Sequence, residues 1–184
     1  MEGEFDWDEH TQGLILGAFF YGYILTNILG GILANYFGGK IVVGVSIFLT
    51  GILTLFSPLA ARSSGIAFSV VRALEGAAEG IFYPGMNILV GSWYPKMERS
   101  KFTSYIFAGL ELGTVVGMLG SGWLCSTDFL GGWPSVFYVS GVLSLIWVVI
   151  WMICIKDHAE DHPWISKAEL QYIKEGCPKT KVGI

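Results

Sequence analysis

The chain has 184 residues, of which 53% are hydrophobic and only 14% are Asp, Glu, Lys or Arg, with a net charge of −4. Soluble domains usually carry about 25% of these charged residues, so the composition argues against a soluble globular domain. No basic surface with interleaved aromatic residues is present, which argues against binding to nucleic acid. The sequence has no P-loop, HExxH motif or GxSxG elbow, so nothing in it indicates an enzyme, a metal site or a bound cofactor.

Five long apolar segments follow one another, and each has at least the ~20 residues needed to cross a ~30 Å hydrocarbon core. They run over about 12–35, 41–61, 66–92, 102–124 and 134–155. Lipid offers no hydrogen-bond partners, so the backbone of each segment should form a helix. The sequence therefore predicts an all-α, polytopic membrane helix bundle of five transmembrane helices over 12–155. An acidic segment (1–11) precedes this bundle, and a more polar segment (156–184) follows it.

The first segment carries polar side chains that a purely lipid-facing helix would not need. Asn27 is expected to hydrogen-bond across helices, chiefly as a packing contact. Tyr21 and Tyr23 point to different faces, because successive residues of a helix are separated by about 100°. At most one of the two can line a pathway, and we take Tyr21 as the candidate for contact with a substrate.

The third segment contains the stretch RALEGAAEGIFYPG, with three ionisable groups in eight residues. Helical geometry places Arg72, Glu75, Glu79 and Tyr83 on one narrow face. Each charge at the centre of a span costs about 2.5–3.5 kcal/mol on insertion scales. This face must therefore line a bundle interior or a water-filled cavity.

Two interpretations of this face remain open. A buried ion pair of Arg72 with Glu75 or Glu79 could serve only to fix helix packing. The face could instead bind a substrate through Arg72 and Tyr83 and exchange a proton through Glu79 and Glu75. We favour the second interpretation, because one ion pair leaves a carboxylate in excess and intramembrane ionisable groups are usually functional.

Small residues predict where these helices approach one another. Gly76 and Gly80 flank the charged face and should let another helix come close. Pro84 cannot donate to the carbonyl of Gly80, so a bend is expected there.

The fourth segment combines a glycine repeat with one acid. The stripe Gly109, Gly113 and Gly117 predicts a tightly packed helix. Glu111 lies about 200° from Gly109 around that helix, where it either faces the cavity or snorkels towards a span end.

The basic residues indicate the orientation. Nine of the 11 Lys and Arg residues follow the first, third or fifth segment. The positive-inside rule then makes the C-terminus cytoplasmic and the acidic N-terminal segment extracellular or lumenal. Whether the membrane is plasma, lysosomal or vesicular stays open. In the last segment, Ser166 and Glu169 form a capping-box pattern that predicts a short helix over about 167–175.

The stretch GGILANYFGGK (30–40) resembles the signature between the second and third helices of major facilitator superfamily transporters. Further stretches resemble the anion/cation symporter branch, which includes sialin, the vesicular glutamate transporters and the sodium–phosphate cotransporters. These stretches are Trp7–Thr26, Arg72–Gly85, Trp93–Lys101, Ala108–Thr114, Val136–Tyr138 and His162–Ile173. Leu16 stands where vesicular glutamate transporters carry a histidine, which together with Glu75 favours the sialin-like or phosphate-cotransporter side.

The resemblance implies symport of an organic anion or inorganic phosphate, coupled to H⁺ or Na⁺, by alternating access. It implies that Arg72, Glu75 and Glu79 line the central cavity and that Glu79 couples to protons. It covers only the second to sixth of the family's helices. We therefore expect a fragment that lacks the first helix and the C-terminal half needed for a complete pathway. The alternative is a truncated, non-transporting membrane protein that acts only with a partner or as a dominant-negative subunit.

Overall fold

The computed structural model describes residues 7–127 and 129–177, and in this part of the chain it contains helices and no strand. The α-helices are α1 (Glu9–Phe37), α2 (Gly39–Ser63), α3 (Gly65–Glu79), α4 (Phe82–Trp93), α5 (Arg99–Ser126), α6 (Pro134–Cys154) and α7 (Lys167–Gly176). Short 3-10 turns lie at Phe129–Gly131 and Ala159–Asp161. By length and hydropathy, α1, α2, α5 and α6 can each cross a bilayer. The predicted all-α membrane architecture is confirmed.

The third apolar segment is divided between two helices. The chain leaves α3 at Gly80 and enters α4 after Ile81. Pro84 has no N–H to donate to the carbonyl of Gly80, which removes one helical hydrogen bond at this point. Neither α3 nor α4 alone reaches the ~20 residues of a span, and the two in succession occupy the region expected for one.

Glycines allow α1 to lie directly against α3. A Cβ atom built at Gly22 would overlap the backbone carbonyl of Ala73, and one built at Gly76 would overlap the backbone carbonyl of Phe19. Backbone-to-backbone contact of this kind is available only to residues without a side chain. On its other side α3 packs against α2, which in turn packs against α6. The charged stretch on α3 therefore lies inside the bundle.

Three connections meet at one end of the bundle. The Asp157 carboxylate accepts a hydrogen bond from the backbone N–H of Lys40 at 2.8 Å. The indole of Trp151 donates to the carbonyl of Lys40 at 3.0 Å, and the indole of Trp93 donates to the carbonyl of Lys156 at 2.8 Å. The basic connections after α1, α4 and α6 therefore share one side. The predicted basic residues Lys179 and Lys181 lie outside the described residues, as does 1–6 of the acidic segment.

The opposite end is closed by an apolar cluster. Ile15, Ala61 and Phe68 are buried there, with Trp7, Trp133 and Phe137 packed against them. This cluster joins the beginning of α1, the turn between α2 and α3, and the beginning of α6. It surrounds the α3 turn that precedes the charged stretch.

Helix α5 lies at the edge of the described structure and has no buried residue. A Cβ atom built at Gly109, Gly113 or Gly117 would meet nothing within 4 Å. The prediction that this stripe packs tightly is therefore wrong for the described part of the chain. The reason is that a helical repeat shows which face is smooth, whereas contact also requires a neighbour on that side.

Helix α7 covers the short helix expected over 167–175. The Ser166 hydroxyl accepts a hydrogen bond from the backbone N–H of Glu169 at 3.2 Å, as an N-cap does. Ile173 is buried, and Gly176 lies against the ring of Pro95. The helix is thereby held against the connection between α4 and α5.

Candidate functional site

The site is centred on an ion pair within α3. Nη1 of Arg72 lies 3.1 Å from Oε2 of Glu75, three residues later on the same helix. Glu75 is only 2% exposed, and its other oxygen, Oε1, accepts a hydrogen bond of 2.8 Å from the hydroxyl of Ser57 on α2. Both carboxylate oxygens therefore have a donor, which a buried ionised group requires.

Arg72 is held by aromatic rings as well as by Glu75. Its guanidinium carbon lies 5.1 Å from the centre of the Phe68 ring and 5.5 Å from that of Phe137 on α6. These distances are within the range of cation–π attraction. The side chain nevertheless keeps 29% of its surface exposed and makes no hydrogen bond to other described residues besides the pair with Glu75. A guanidinium has five N–H donors, so several remain available to a bound anion.

Glu79 lies one helical turn beyond Glu75 and is half-buried. Within residues 7–127 and 129–177, its carboxylate makes neither a hydrogen bond nor a salt bridge. It lies near Tyr23 of α1, and Tyr83 of α4 is also close enough to act on Tyr23 electrostatically. Glu79 is thus an acid without a basic partner of its own, at the meeting point of α1, α3 and α4.

The structure places three of the predicted site residues, Arg72, Glu75 and Glu79, on successive turns of α3. Tyr83, at the beginning of α4, acts electrostatically on Tyr23, as Glu79 does. The structure places Tyr21 elsewhere, on the outer surface of α1 with 73% of its side chain exposed. Asn27 lies within hydrogen-bonding reach of Tyr23, one turn earlier on its own helix, and makes no bond to another described helix. Glu111 is exposed on α5 and contacts none of these groups.

Sequence reasoning missed Ser57, Tyr23 and Phe137. Ser57 had a detectable signal, because Ser46, Thr50 and Ser57 recur at helical spacing on one face of an otherwise apolar segment. Ser46 and Ser57 are both fully buried and both donate to α3. Phe137 had no such signal, since it is one of 12 phenylalanines.

The charged groups of this arrangement can bind an anion and exchange a proton. Arg72 provides a partly exposed cation with unused donors, and Glu79 provides an acid that no described cation neutralises. The described residues contain no group of three or more His, Cys, Asp and Glu arranged to hold a metal ion. An anion that enters this site would balance the charge of Arg72, while a proton would balance Glu79.

Known proteins resemble this chain in sequence over most of its length. The family model of the Major Facilitator Superfamily matches residues 1–181. Sialin from sheep (Ovis aries) is 46% identical over 170 residues, which are 92% of this chain and 34% of sialin. A Drosophila ananassae protein named as an inorganic phosphate cotransporter is 36% identical over 182 residues, which are 98% of this chain and 38% of that protein. The chain thus spans about a third of the length of these curated relatives.

Solved structures show the same fold. The xylose transporter XylE from E. coli superimposes with a TM-score of 0.70 at 14% sequence identity. The match covers 94% of this chain and 47% of XylE. Together with the family model and the four apolar helices that can cross a bilayer, it establishes the architecture. The chain belongs to the Major Facilitator Superfamily and is a multi-pass membrane protein.

Proposed function

We propose that this chain is part of the N-terminal bundle of a secondary transporter for a small anion, either an organic anion or inorganic phosphate. Transport is coupled to H⁺ or Na⁺ and proceeds by alternating access. The observation that carries the proposal is the pairing at the site. Arg72 and Glu75 neutralise each other within α3, whereas the Glu79 carboxylate, one turn away, has no hydrogen-bond or salt-bridge partner among the described residues. The relatives named as sialin and as an inorganic phosphate cotransporter support the substrate class.

Each residue then has a distinct role. Arg72 attracts the anion through the guanidinium N–H groups that Glu75 does not occupy. Glu75 balances the charge of Arg72 when the site is empty, which lowers the cost of keeping a cation in the bundle. Glu79 takes up and releases the coupling proton, and Tyr23, with which Glu79 interacts electrostatically, supplies a hydroxyl group near it.

The rest of the pathway comes from other helices. Transporters of this type bind their substrate between two halves of the molecule. Because the chain spans about a third of its relatives, we propose that a further helix of the N-terminal half and the whole C-terminal half complete the cavity. The basic end of the bundle, with the C-terminus, faces the cytoplasm in this arrangement. The proposed transporter uses H⁺ or Na⁺ as its coupling ion, and a lipid bilayer and a small anion are its partners.

The test is uptake by the complete transporter reconstituted in liposomes, with radiolabelled inorganic phosphate, glutamate and ascorbate as probes. Arg72→Ala and Glu79→Gln should each abolish proton-driven uptake while the protein still inserts into the membrane. Glu175→Gln, which removes an exposed carboxylate on α7, is the matched control and should leave uptake unchanged. Normal uptake by inserted Arg72→Ala or Glu79→Gln protein would refute the assignment.

A further inference from the structure

The two oxygens of Glu75 are divided between two helices. Oε2 pairs with Arg72 on α3, and Oε1 accepts the hydroxyl hydrogen of Ser57 on α2. Ser57 is fully buried and Glu75 is 2% exposed, so water does not compete for this contact. The same hydroxyl lies 3.2 Å from the carbonyl of Leu53, but the carboxylate is closer, at 2.8 Å, and carries a full charge.

The sharing of Glu75 between Ser57 and Arg72 determines how many N–H donors of Arg72 are occupied by Glu75. Arginine and a carboxylate favour a two-pronged contact in which two N–H groups bind two oxygens. In this site one of the two oxygens is held by α2, and the contact between Glu75 and Arg72 runs through Oε2. The remaining guanidinium donors and the 29% of the side chain that is exposed are thereby left accessible.

We propose that Ser57 is a positioning residue of the anion site. By donating a hydrogen bond to Oε1 of Glu75, Ser57 keeps Glu75 from making a two-pronged contact with Arg72. Guanidinium donors of Arg72 therefore stay free for the anion. The inference rests on the proposed function of Arg72 as the anion-binding group. It assigns to α2, which carries no charged residue at the site, a part in setting substrate affinity.

Loss of the Ser57 hydroxyl should make Arg72 less available to the anion. Oε1 of Glu75 would become a buried acceptor without a donor, which is costly. Arg72 is the other donor that already contacts Glu75, so the free oxygen should turn towards it and complete the two-pronged pair. Arg72 would then be less available, and the anion would have to displace a stronger internal competitor.

The first experiment measures the concentration dependence of uptake by the reconstituted transporter, with the probe anion that the parent protein carries best. Ser57→Ala should raise KM by about tenfold, which corresponds to about 1.4 kcal/mol, close to the lower end of the range for a hydrogen bond to a charged group. The kcat value should change much less, because Glu79 is untouched. Ser57→Cys, which is close in size and a weaker donor, should raise KM in the same direction by a smaller factor.

Thr54→Ala is the matched control. It removes a hydroxyl from the same helix, one whose hydrogen bond goes to the carbonyl of Thr50 and not to the site. Its KM should equal that of the parent protein. In a Glu75→Gln background, Ser57→Ala should no longer raise KM by the same factor. The reason is that the carboxylate of Glu75, which competes with the anion for Arg72, is then absent. A raised KM in Thr54→Ala, or an unchanged KM in Ser57→Ala, would overturn the proposal.

A second experiment does not depend on transport. Phenylglyoxal modifies accessible arginine side chains, and mass spectrometry of the peptides resolves Arg72 from Arg62 and Arg99. The rate at Arg72 should fall several-fold in Ser57→Ala and in Ser57→Cys relative to these internal references, and stay unchanged in Thr54→Ala. An equal rate in the parent protein and both Ser57 variants would contradict the positioning role.

The two experiments separate the two claims. If the parent protein carries none of the probe anions but the Arg72 rate falls in the Ser57 variants, the proposed function fails and the positioning of Glu75 stands. If Arg72→Ala abolishes uptake but the Ser57 variants change neither KM nor the Arg72 rate, the positioning role alone is wrong.

Discussion

Gly22 allows α1 to contact the backbone of α3, so its replacement by a larger residue should separate the two helices. A Cβ atom added at Gly22 would overlap the carbonyl of Ala73 and lie 2.8 Å from the backbone nitrogen of Ala77. Ordinary contacts of a Cβ atom begin at 3.4 Å, so the contact with Ala77 alone would require a movement of about 0.6 Å, and the closer carbonyl of Ala73 requires a larger one. Backbone atoms of a packed helix cannot rotate aside as a side-chain end can. Gly22→Ala should therefore separate the two helices.

The expected loss of stability is about 3 kcal/mol, the upper end of the usual range for an overpacked contact. For a chain of this size, each kcal/mol lowers Tm by about 2–4 °C, so the expected fall is about 6–12 °C. The measurement is thermal unfolding of the purified protein in detergent. Because α3 carries Arg72 and Glu79, uptake should fall with stability.

Gly31→Ala is the control on the same helix. A Cβ atom at Gly31 would meet nothing within 4 Å, and alanine is the better helix former by about 1 kcal/mol. Its Tm should therefore be unchanged or slightly raised. If Gly22→Ala and Gly31→Ala lower Tm equally, the loss comes from helix formation or insertion, and the argument from close packing is refuted.

Two further predictions concern the basic end of the bundle. Asp157→Ala removes the carboxylate that caps α2 by accepting a hydrogen bond from the N–H of Lys40. Hydrogen exchange of that N–H should accelerate by about tenfold in Asp157→Ala and by less in Asp157→Asn. Equal exchange rates in both variants and the parent protein would contradict the cap. The nearby carboxylate of Glu98, through hydrogen bonding and its negative charge, raises the pKa of Tyr172 above its ordinary value of 10.0. The contact should therefore stabilise the docking of α7 fully below pH 10.0 and lose this effect as pH rises through the raised pKa. Ultraviolet titration should show the Tyr172 transition moving towards 10.0 in Glu98→Gln, and an unmoved transition would exclude the contact.

The sequence predicted the charged face of α3 but not which of its carboxylates pairs with Arg72. The helical repeat placed Arg72, Glu75 and Glu79 on one face, and the excess of acid over base followed from counting. It did not show which acid pairs with Arg72, because Glu75 and Glu79 are one turn apart on that face. The choice depends on α2, which brings Ser57 to Glu75, and on α1, which brings Tyr23 to Glu79.

The choice between the tyrosines of α1 shows the same limit. The angle between Tyr21 and Tyr23 showed that they face different sides, and the structure places Tyr23 beside Glu79 and Tyr21 on the exposed surface. Angular position within a helix is a local property. The identity of the neighbour on each side is not, because it depends on the small residues of another helix.

The sequence by itself determined the class of structure, since long apolar segments in lipid must satisfy their own backbone hydrogen bonds and so become helices. It also determined that the charges of α3 lie inside the bundle, since their exposure to lipid would cost too much. Only the tertiary structure decided that Glu75 is shared between Ser57 and Arg72, that Glu79 has no basic partner of its own, and that the glycine stripe of α5 has no neighbour among the described residues. The physical reason is that the cost of a buried charge depends on composition, whereas its partner depends on which helices glycine allows to touch.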